Sequence, residues 1–430
     1  MLRRAWLIIR LTLLFSLALV LLAPEWPAFG DPAFQFRAIV GQSHQFDFLA
    51  WTTRALLTKA RALLSGTHTY LSEETQKEFV LTYLAQIGRA RALEFEIEGI
   101  YADPTLSDPA TVAADKQAEV DALRRELAWR QPLAEEIVQR QVAAALTDEG
   151  LGLSGLTWPP VLMTMSPVPT MLIVSPRDRI EQVDQAALVP GLSTETKEEM
   201  ENAVFDRLDE SALVVPIGGL GIYPAMIAET NNMQWLAQVT AHEWTHHWLS
   251  FRPLGVRYLE TAELRVINET VASLVDREMG EKVMARSYPE LLAPAITPLS
   301  PRPVEAADAP SFDFSAEMAE TRNTVDRMLA AGEIEAAEAY MEQRRQVFVN
   351  NGYLLRKLNQ AYFAFYGGYA AEPGGASGAS PIGPMLREIR EASPSLRAFL
   401  VSVGRIDSYE ALVELYREVT GKDPAALSGS

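Results

Sequence analysis

The stretch Ala241-His242-Glu243-Trp244-Thr245-His246-His247-Trp248-Leu249-Ser250 decides how the rest of this chain is read. It ends a run from Asn232 to Ser250 with apolar residues at helical spacing, and Arg252-Pro253 closes that run. On a helix, residues four apart share a face, so the imidazoles of His242 and His246 meet at one point with Glu243 beside them. Two such imidazoles are half of a tetrahedral Zn²⁺ site, and the neighbouring carboxylate reaches a water at the metal rather than the metal. Hydrolysis needs that division of labour: a metal that acidifies water and polarises a carbonyl, and a base that takes the proton. The competing reading makes the pair ordinary polar residues beside a core, because Trp244, Trp248 and Leu249 pack the same helix. His247 points about 100° away from His246 and reads as a surface or supporting residue rather than a ligand.

A third ligand is expected downstream, in the helical stretch LETAELRVINETVASLVDREMG (259–280), which carries Glu260, Glu263, Glu269 and Glu278. Taken together, the residues from roughly Gly218 to Glu278 resemble the gluzincins, a family that includes thermolysin-like proteases and many aminopeptidases. In that family HExxH is followed by a second helix bearing Asn-Glu, whose Glu completes the zinc site; Asn268-Glu269-Thr270-Val271-Ala272 fits that form. The resemblance implies one Zn²⁺ per chain on His242, His246 and Glu269, with Glu243 as the catalytic base and then proton donor. The gap of 22 residues between His246 and Glu269 is slightly long for the family. A turn at Arg252-Pro253-Leu254-Gly255 can absorb the excess, and Glu263 is the alternative ligand. The resemblance also implies an edge strand before the motif, which receives an extended substrate by backbone pairing. Gly221–Ala228 (GIYPAMIA) is placed for it, and Pro224 suits an edge.

Departures from the family fall around the metal. The Asp expected four residues after the ligand Glu is Ser273 here, and the nearest Asp is Asp276. All His lie at 44, 68, 242, 246 and 247, so none follows the motif helix to stabilise an oxyanion. Many gluzincins use a Tyr, and the run Leu358–Tyr366 offers Tyr366 and Tyr362 one turn apart, with Tyr369 following; a Tyr hydroxyl can donate to a developing oxyanion. An aromatic core stripe is the competing reading of these tyrosines. Asn268-Glu269-Thr270 also spells a glycosylation sequon, read as a chance match.

Working outward, the fold class expected is α+β and helix-rich. Residues 44–149 form a helical block, with helices over 44–65, from Ser72, and from Asp108, and with Pro132 starting or kinking a further stretch. A zincin-like core over 150–288 holds a small mixed sheet and the motif helix. Its strands are read at 161–165 and 171–175, joined by the turn SPVP, and again after a helix over 194–208. A Pro-rich linker over 289–312 precedes a helical C-terminal part over 313–430, which carries a Gly- and Ala-rich loop from 367 to 384.

Composition bounds the function. Lys plus Arg number 38 against 56 Asp plus Glu, and the net charge of −18 repels phosphate backbones, so no nucleic-acid partner is expected. With no Cys, thiolate catalysis and Cys-ligated metals are excluded. Arg3 and Arg4 precede an apolar run over 5–23 that only Arg10 interrupts, so residues 1–30 read as a signal peptide or as a membrane anchor. Either places the rest of the chain outside the cytoplasm, secreted or tethered. The expectation is a zinc metallopeptidase acting on a peptide or protein substrate. Two other readings stand beside it: a catalytically silent metal-binding or membrane-anchored interaction protein, and a zinc hydrolase of a non-peptide amide or ester.

Overall fold

A computed structural model describes residues 32–65, 71–102, 106, 108–153, 156–292, 312–369, 375–378, 380–424 and 427. The N-terminal apolar run and the linker from 293 to 311 lie outside the described residues. Among those described, no helix is long and apolar enough to cross a membrane. The architecture is α+β and helix-rich with small sheets.

Helices α1 (Pro32–Val40), α2 (Phe48–Ser65), α3 (Glu73–Ala102) and α4 (Pro109–Leu146) open the described chain. Asp108 caps α4 by accepting from the Thr111 amide at 3.2 Å, and Pro109 fills a first-turn position that needs no donor. Pro132 does not open a new helix, as α4 runs through it. The lost backbone bond there costs about 3 kcal/mol, offset by the burial of Ala134, Ile137, Val138 and Val142 just beyond it.

After a small hairpin, β1 (Gly152–Leu153) with β2 (Leu156–Thr157), two three-stranded sheets form. One contains β4 (Thr170–Pro176) between β5 (Asp184–Leu188) and β6 (Glu210–Pro216), all antiparallel, with α5 (Thr194–Leu208) leading into β6. Met171, Ile173, Leu213 and Val215 face one side of that sheet, while Leu172, Val174, Ala212 and Val214 face α1 and α5 on the other. The sheet is therefore covered on both faces, which is why β4 reads as an unbroken apolar run. The second sheet is mixed: β3 (Met163–Met165) runs parallel to β8 (Ala225–Ile227), and β7 (Gly219–Leu220) pairs β8 antiparallel.

Two sequence expectations are corrected. The strands on either side of Ser166–Pro169 do not pair with each other, because β4 is taken on both edges by β5 and β6. The β5 strand was not expected at all, since Asp184-Gln185-Ala186-Ala187-Leu188 has no β-branched residue; its pairing with β4 imposes it. The segment 221–228 is no edge strand. Its strand, β8, lies in the middle of its sheet, Pro224 precedes it in a turn, and the edge belongs to β7.

From here the chain is helical: α6 (Met233–Leu249), the short α7 (Pro253–Val256), α8 (Ala262–Ser287), α9 (Phe314–Ala330), α10 (Ile334–Asn350), α11 (Gln360–Tyr366), α12 (Ile382–Ala392), α13 (Leu396–Val403) and α14 (Tyr409–Thr420). One apolar core joins α3, α4, β3, β8, α6, α8 and α12 to α14. Helix α4 packs on both the motif helix and α8, while α12 and α13 pack on α8. Helices α9, α10 and α11 instead build a second core against the antiparallel sheet.

Side chains close most strand edges. Along α4, Gln139 accepts from the Met163 amide at 2.8 Å, Glu135 accepts from the Met165 amide at 2.7 Å, and Gln131 donates to the Met165 carbonyl at 2.6 Å. Residues four apart on one helix face thereby mimic a neighbouring strand. At β6, Glu201 accepts from the Val214 amide at 2.7 Å and Asn359 donates to the Ala212 carbonyl at 2.9 Å. Bonds from the Phe46 amide to the Ala187 carbonyl and from the Val189 amide to the His44 carbonyl cover β5. Among the described residues the outer edge of β7 pairs with no strand.

Glu201 is buried, and burial raises its pKa; Arg356, Lys357 and the Val214 amide outweigh that and hold it below the ordinary 4.5. Its ionisation therefore stabilises the fold above the unfolded carboxylate's pKa, and that contribution disappears as pH falls through the lower folded value. Removing one partner of so buried a network costs about 3 kcal/mol or more. Urea unfolding at neutral pH is expected to show Glu201→Gln destabilised by that order, with the gap to wild type narrowing below pH 4.5. A gap independent of pH would contradict the assignment.

Candidate metal centre

Helix α6 begins where Asn232 accepts from the Trp235 amide at 3.0 Å, and α8 where Thr261 accepts from the Leu264 amide at 3.1 Å. The two helices pack tightly, and Gly280 permits the approach: a Cβ there would meet the Gln238 side chain at 2.3 Å. Trp244 anchors α6 from below, buried, its indole N–H donating to the Pro159 carbonyl at 2.8 Å. This packing turns His242, Glu243 and His246 towards Glu269.

Ligand-type atoms of His242, His246 and Glu269 lie within 4.8 Å of one another. Glu269 Oε2 stands 3.3 Å from His242 Nε2 and 3.5 Å from His246 Nε2. Donors about 2.0–2.1 Å from a tetrahedral ion stand about 3.3–3.4 Å apart, so this triangle has the size of a metal site. It suits any small dication of that bond length.

The other ring nitrogens explain why both Nε2 atoms face inward. His242 Nδ1 donates to Asp276 Oδ2 at 2.8 Å, and His246 Nδ1 donates to Asn268 Oδ1 at 2.8 Å. A carboxylate can only accept, and the Asn268 amide is oriented by its own donation to the Leu254 carbonyl at 3.1 Å. Both histidines therefore hold a proton on Nδ1 and turn Nε2 towards the triangle, the orientation ligating histidines adopt; the surrounding carboxylates raise both imidazole pKa values, so a metal ion would have to displace a second proton from Nε2. Asp276, seven residues beyond Glu269, takes the position that Ser273 leaves without an acid. Asn268 is buried in this bond pair, which accounts for the sequon as coincidence.

The remaining carboxylate atom of Glu269, Oε1, accepts from the Tyr258 hydroxyl at 2.6 Å. Burial pushes Glu269 up, but the opposing His246 and His242 hold it well below the usual carboxylate range. Glu243 behaves oppositely. Burial, with Glu269 and Asp276 nearby, lifts its pKa above 4.5 against the pull of both histidines, and among the described residues no hydrogen bond reaches its carboxylate. The β7 strand crosses directly over it: a Cβ at Gly219 would fall 2.2 Å from Glu243 Oε1, and one at Gly221 would fall 3.3 Å from Oε2.

His247 is not on the surface. It is buried, its Nε2 donates to the Ile222 carbonyl at 2.8 Å, and Tyr223 packs edge-on at 5.0 Å. Burial lowers its pKa to about 4, so it is a neutral clamp holding the Gly221–Pro224 turn on α6. Of the remaining acids of 259–280, Glu263 and Glu260 are exposed, and Glu278 pairs with Arg390 and Lys282.

The tyrosines separate. Tyr362 is buried in the core against the antiparallel sheet, and Tyr366 packs on that core with ring centres 4.5 Å apart. Tyr369 instead stands beside the metal-sized triangle, its ring 6.4 Å from that of His242. The residue as a whole is exposed, but desolvation around its hydroxyl and the charges of Glu269 and Glu243 raise the pKa of its phenol well above the usual range. Sequence reasoning passed over Tyr258, Asn268 and Gly219 as working residues. Only Asn268 carried a signal, as half of the Asn-Glu pair.

Comparison with protein-family models, curated proteins and solved structures finds no match for this chain.

Because Asp276 and Asn268 set the tautomers, Asp276→Asn and Asn268→Ala are expected to weaken metal affinity about 10- to 100-fold in chelator competition. Glu263→Ala is expected to leave it unchanged. A metal affinity indifferent to both Asp276 and Asn268 would contradict the orientation argument.

Proposed function

We propose that the chain is a zinc-dependent hydrolase of peptide bonds. The observation that carries this is the pairing of a metal-sized His242, His246 and Glu269 triangle with Glu243, a buried carboxylate to which no described residue donates a hydrogen bond. An N₂O donor set with histidine protons fixed on Nδ1 suits Zn²⁺, and the resemblance to gluzincins agrees with it. When bound, Zn²⁺ supplies Lewis acidity, bringing the pKa of water towards neutrality and polarising a carbonyl.

The chain's own residues do the rest. Glu243, with its raised pKa, is suited to accept the proton of the attacking water and to return it to the amine nitrogen as the C–N bond breaks. Tyr369 O–H is the donor we assign to the carbonyl oxygen as charge develops there. The unpaired outer edge of β7, beside Glu243, gives an extended peptide a backbone to pair with. Glycine at 219 keeps that approach clear. Export or tethering rests on the sequence of residues 1–30.

A silent metal-binding role is disfavoured by Glu243 itself, because a buried carboxylate that no donor reaches is a cost without return to stability. Hydrolysis of a non-peptide amide or ester would use the same groups and is separated by a substrate panel.

Metal analysis by mass spectrometry is expected to find about one zinc per chain, retained in Glu243→Gln while peptide hydrolysis falls by about 10²- to 10⁴-fold. Zinc-free protein, or full activity in the variant, would sink the proposal. Tyr369→Phe is expected to lower kcat by about 10²-fold with zinc retained, and a larger effect from Tyr366→Phe would move the oxyanion role.

A further inference from the structure

Beside Glu269 the surface opens into a cleft of about 130 Å³, with Gln182, Gln185, Tyr258, Arg265, Glu269 and Tyr369 in its wall. That is on the order of ten water-sized positions, room for one side chain or a chain terminus. Arg265 lies one turn before Glu269 on α8. Its Nη1 donates to the Gln182 carbonyl at 3.3 Å, its guanidinium stands 6.0 Å from the Tyr258 ring centre, and its Nε is buried without a partner. Among the described residues no carboxylate pairs with it.

Other charges lining the cleft are committed. Arg322 pairs with Asp326 at 2.8 Å and donates to the Ala376 carbonyl at 3.1 Å. Glu181 pairs with Arg179 at 2.6 Å, and Glu269 faces the histidines and Tyr258. A partly buried guanidinium given no anion is unfavourable, and its planar fork matches a carboxylate. The chain as a whole, at −18, repels acidic ligands at long range, so an acidic group can be held here only by a local cation.

We propose that Arg265 anchors a subsite for a substrate carboxylate, supplied by an acidic side chain near the scissile bond or by the peptide's own C-terminus. The subsite rests on the peptidase reading for the identity of its ligand, though not for its affinity. Tyr258 couples the two: its ring lines the cleft under Arg265, and its hydroxyl holds Glu269.

The test is ligand-observed NMR titration of the zinc-loaded full chain with matched pairs. N-acetyl-glutamate amide against N-acetyl-glutamine amide reads the side-chain source, and N-acetyl-alanine against its amide reads the terminus. One carboxylate is expected to bind at least about tenfold tighter than its neutral twin. Arg265→Gln should bring that pair within about twofold, and Arg265→Lys should keep part of the preference. Equal binding of both pairs by wild type overturns the proposal whatever the variants do. So does a preference that survives Arg265→Gln, since the carboxylate would then sit on the metal. Matched Glu and Gln peptides give a second readout, with a kcat/KM ratio that collapses in Arg265→Gln. If no peptide is cleaved, the peptidase reading fails while the titration still decides the subsite.

Discussion

Glu269 is a carboxylate carried by a helix whose other buried residues are mostly apolar, and the whole site follows from how that charge is met. Three groups face it: Nε2 of His242, Nε2 of His246 and the Tyr258 hydroxyl. Each must be held in turn, so Asp276 and Asn268 fix the two imidazoles and the Leu254 carbonyl fixes Asn268. A chain of buried polar groups of this kind is tolerable only when every member is satisfied. Its members come from α6, α8 and the turn between them, which explains why the longer connection from His246 to Glu269 is no slack loop. That connection supplies Leu254 and Tyr258.

Glu243 stands outside that network, and the contrast gives the site its direction. The same burial that the histidines overcome at Glu269 wins at Glu243, so two carboxylates on packed helices are pushed apart in pKa. Divergent environments of this sort are how acid and base roles are distributed between like groups. With carboxylates as its close neighbours, His242 is itself held protonated: burial lowers its pKa, but Asp276 and Glu269 raise it further. A metal ion bound there would compete with that proton for the Nε2 lone pair.

Much of this was legible in the sequence, for physical reasons that also mark where legibility ends. The i and i+4 histidines lie on one local helix, so spacing alone places them together, and the helices capped by Asp108 and Ser193 start near where the pattern sets them. Strand pairing is a long-range property. Nothing local in Thr170–Pro176 says that Glu210–Pro216 and Asp184–Leu188 will flank it, and the short Gly219–Leu220 strand has no propensity to announce it. The tyrosines show the same limit. Tyr362, Tyr366 and Tyr369 are close in sequence, yet Tyr362 and Tyr366 pack with the second core and Tyr369, beyond the helix end, stands beside His242. Where a helix stops decides which way a side chain points, and that is set by Gly367 and Gly368 packing closely on the α11 carbonyls.

The two cores meet at the site, and this bears on what can approach it. The side chains of the His242, His246 and Glu269 triangle and Glu243 are fixed from the larger core, whereas Tyr369 is delivered from the end of a helix in the smaller one. Side chains or neighbouring backbone have closed the strand edges of β3, β6 and β5, whereas among the described residues no strand pairs with the outer edge of β7 beside Glu243. An unpaired edge is a liability that folded chains normally cover, and here the helix α4 spends three polar residues on covering β3 of the same sheet. That one edge is sealed by dedicated side chains while the other runs open past a partnerless carboxylate is consistent with an extended chain as the missing neighbour. Gly219 bears on the same edge from the opposite side, since any larger residue would push the strand off Glu243.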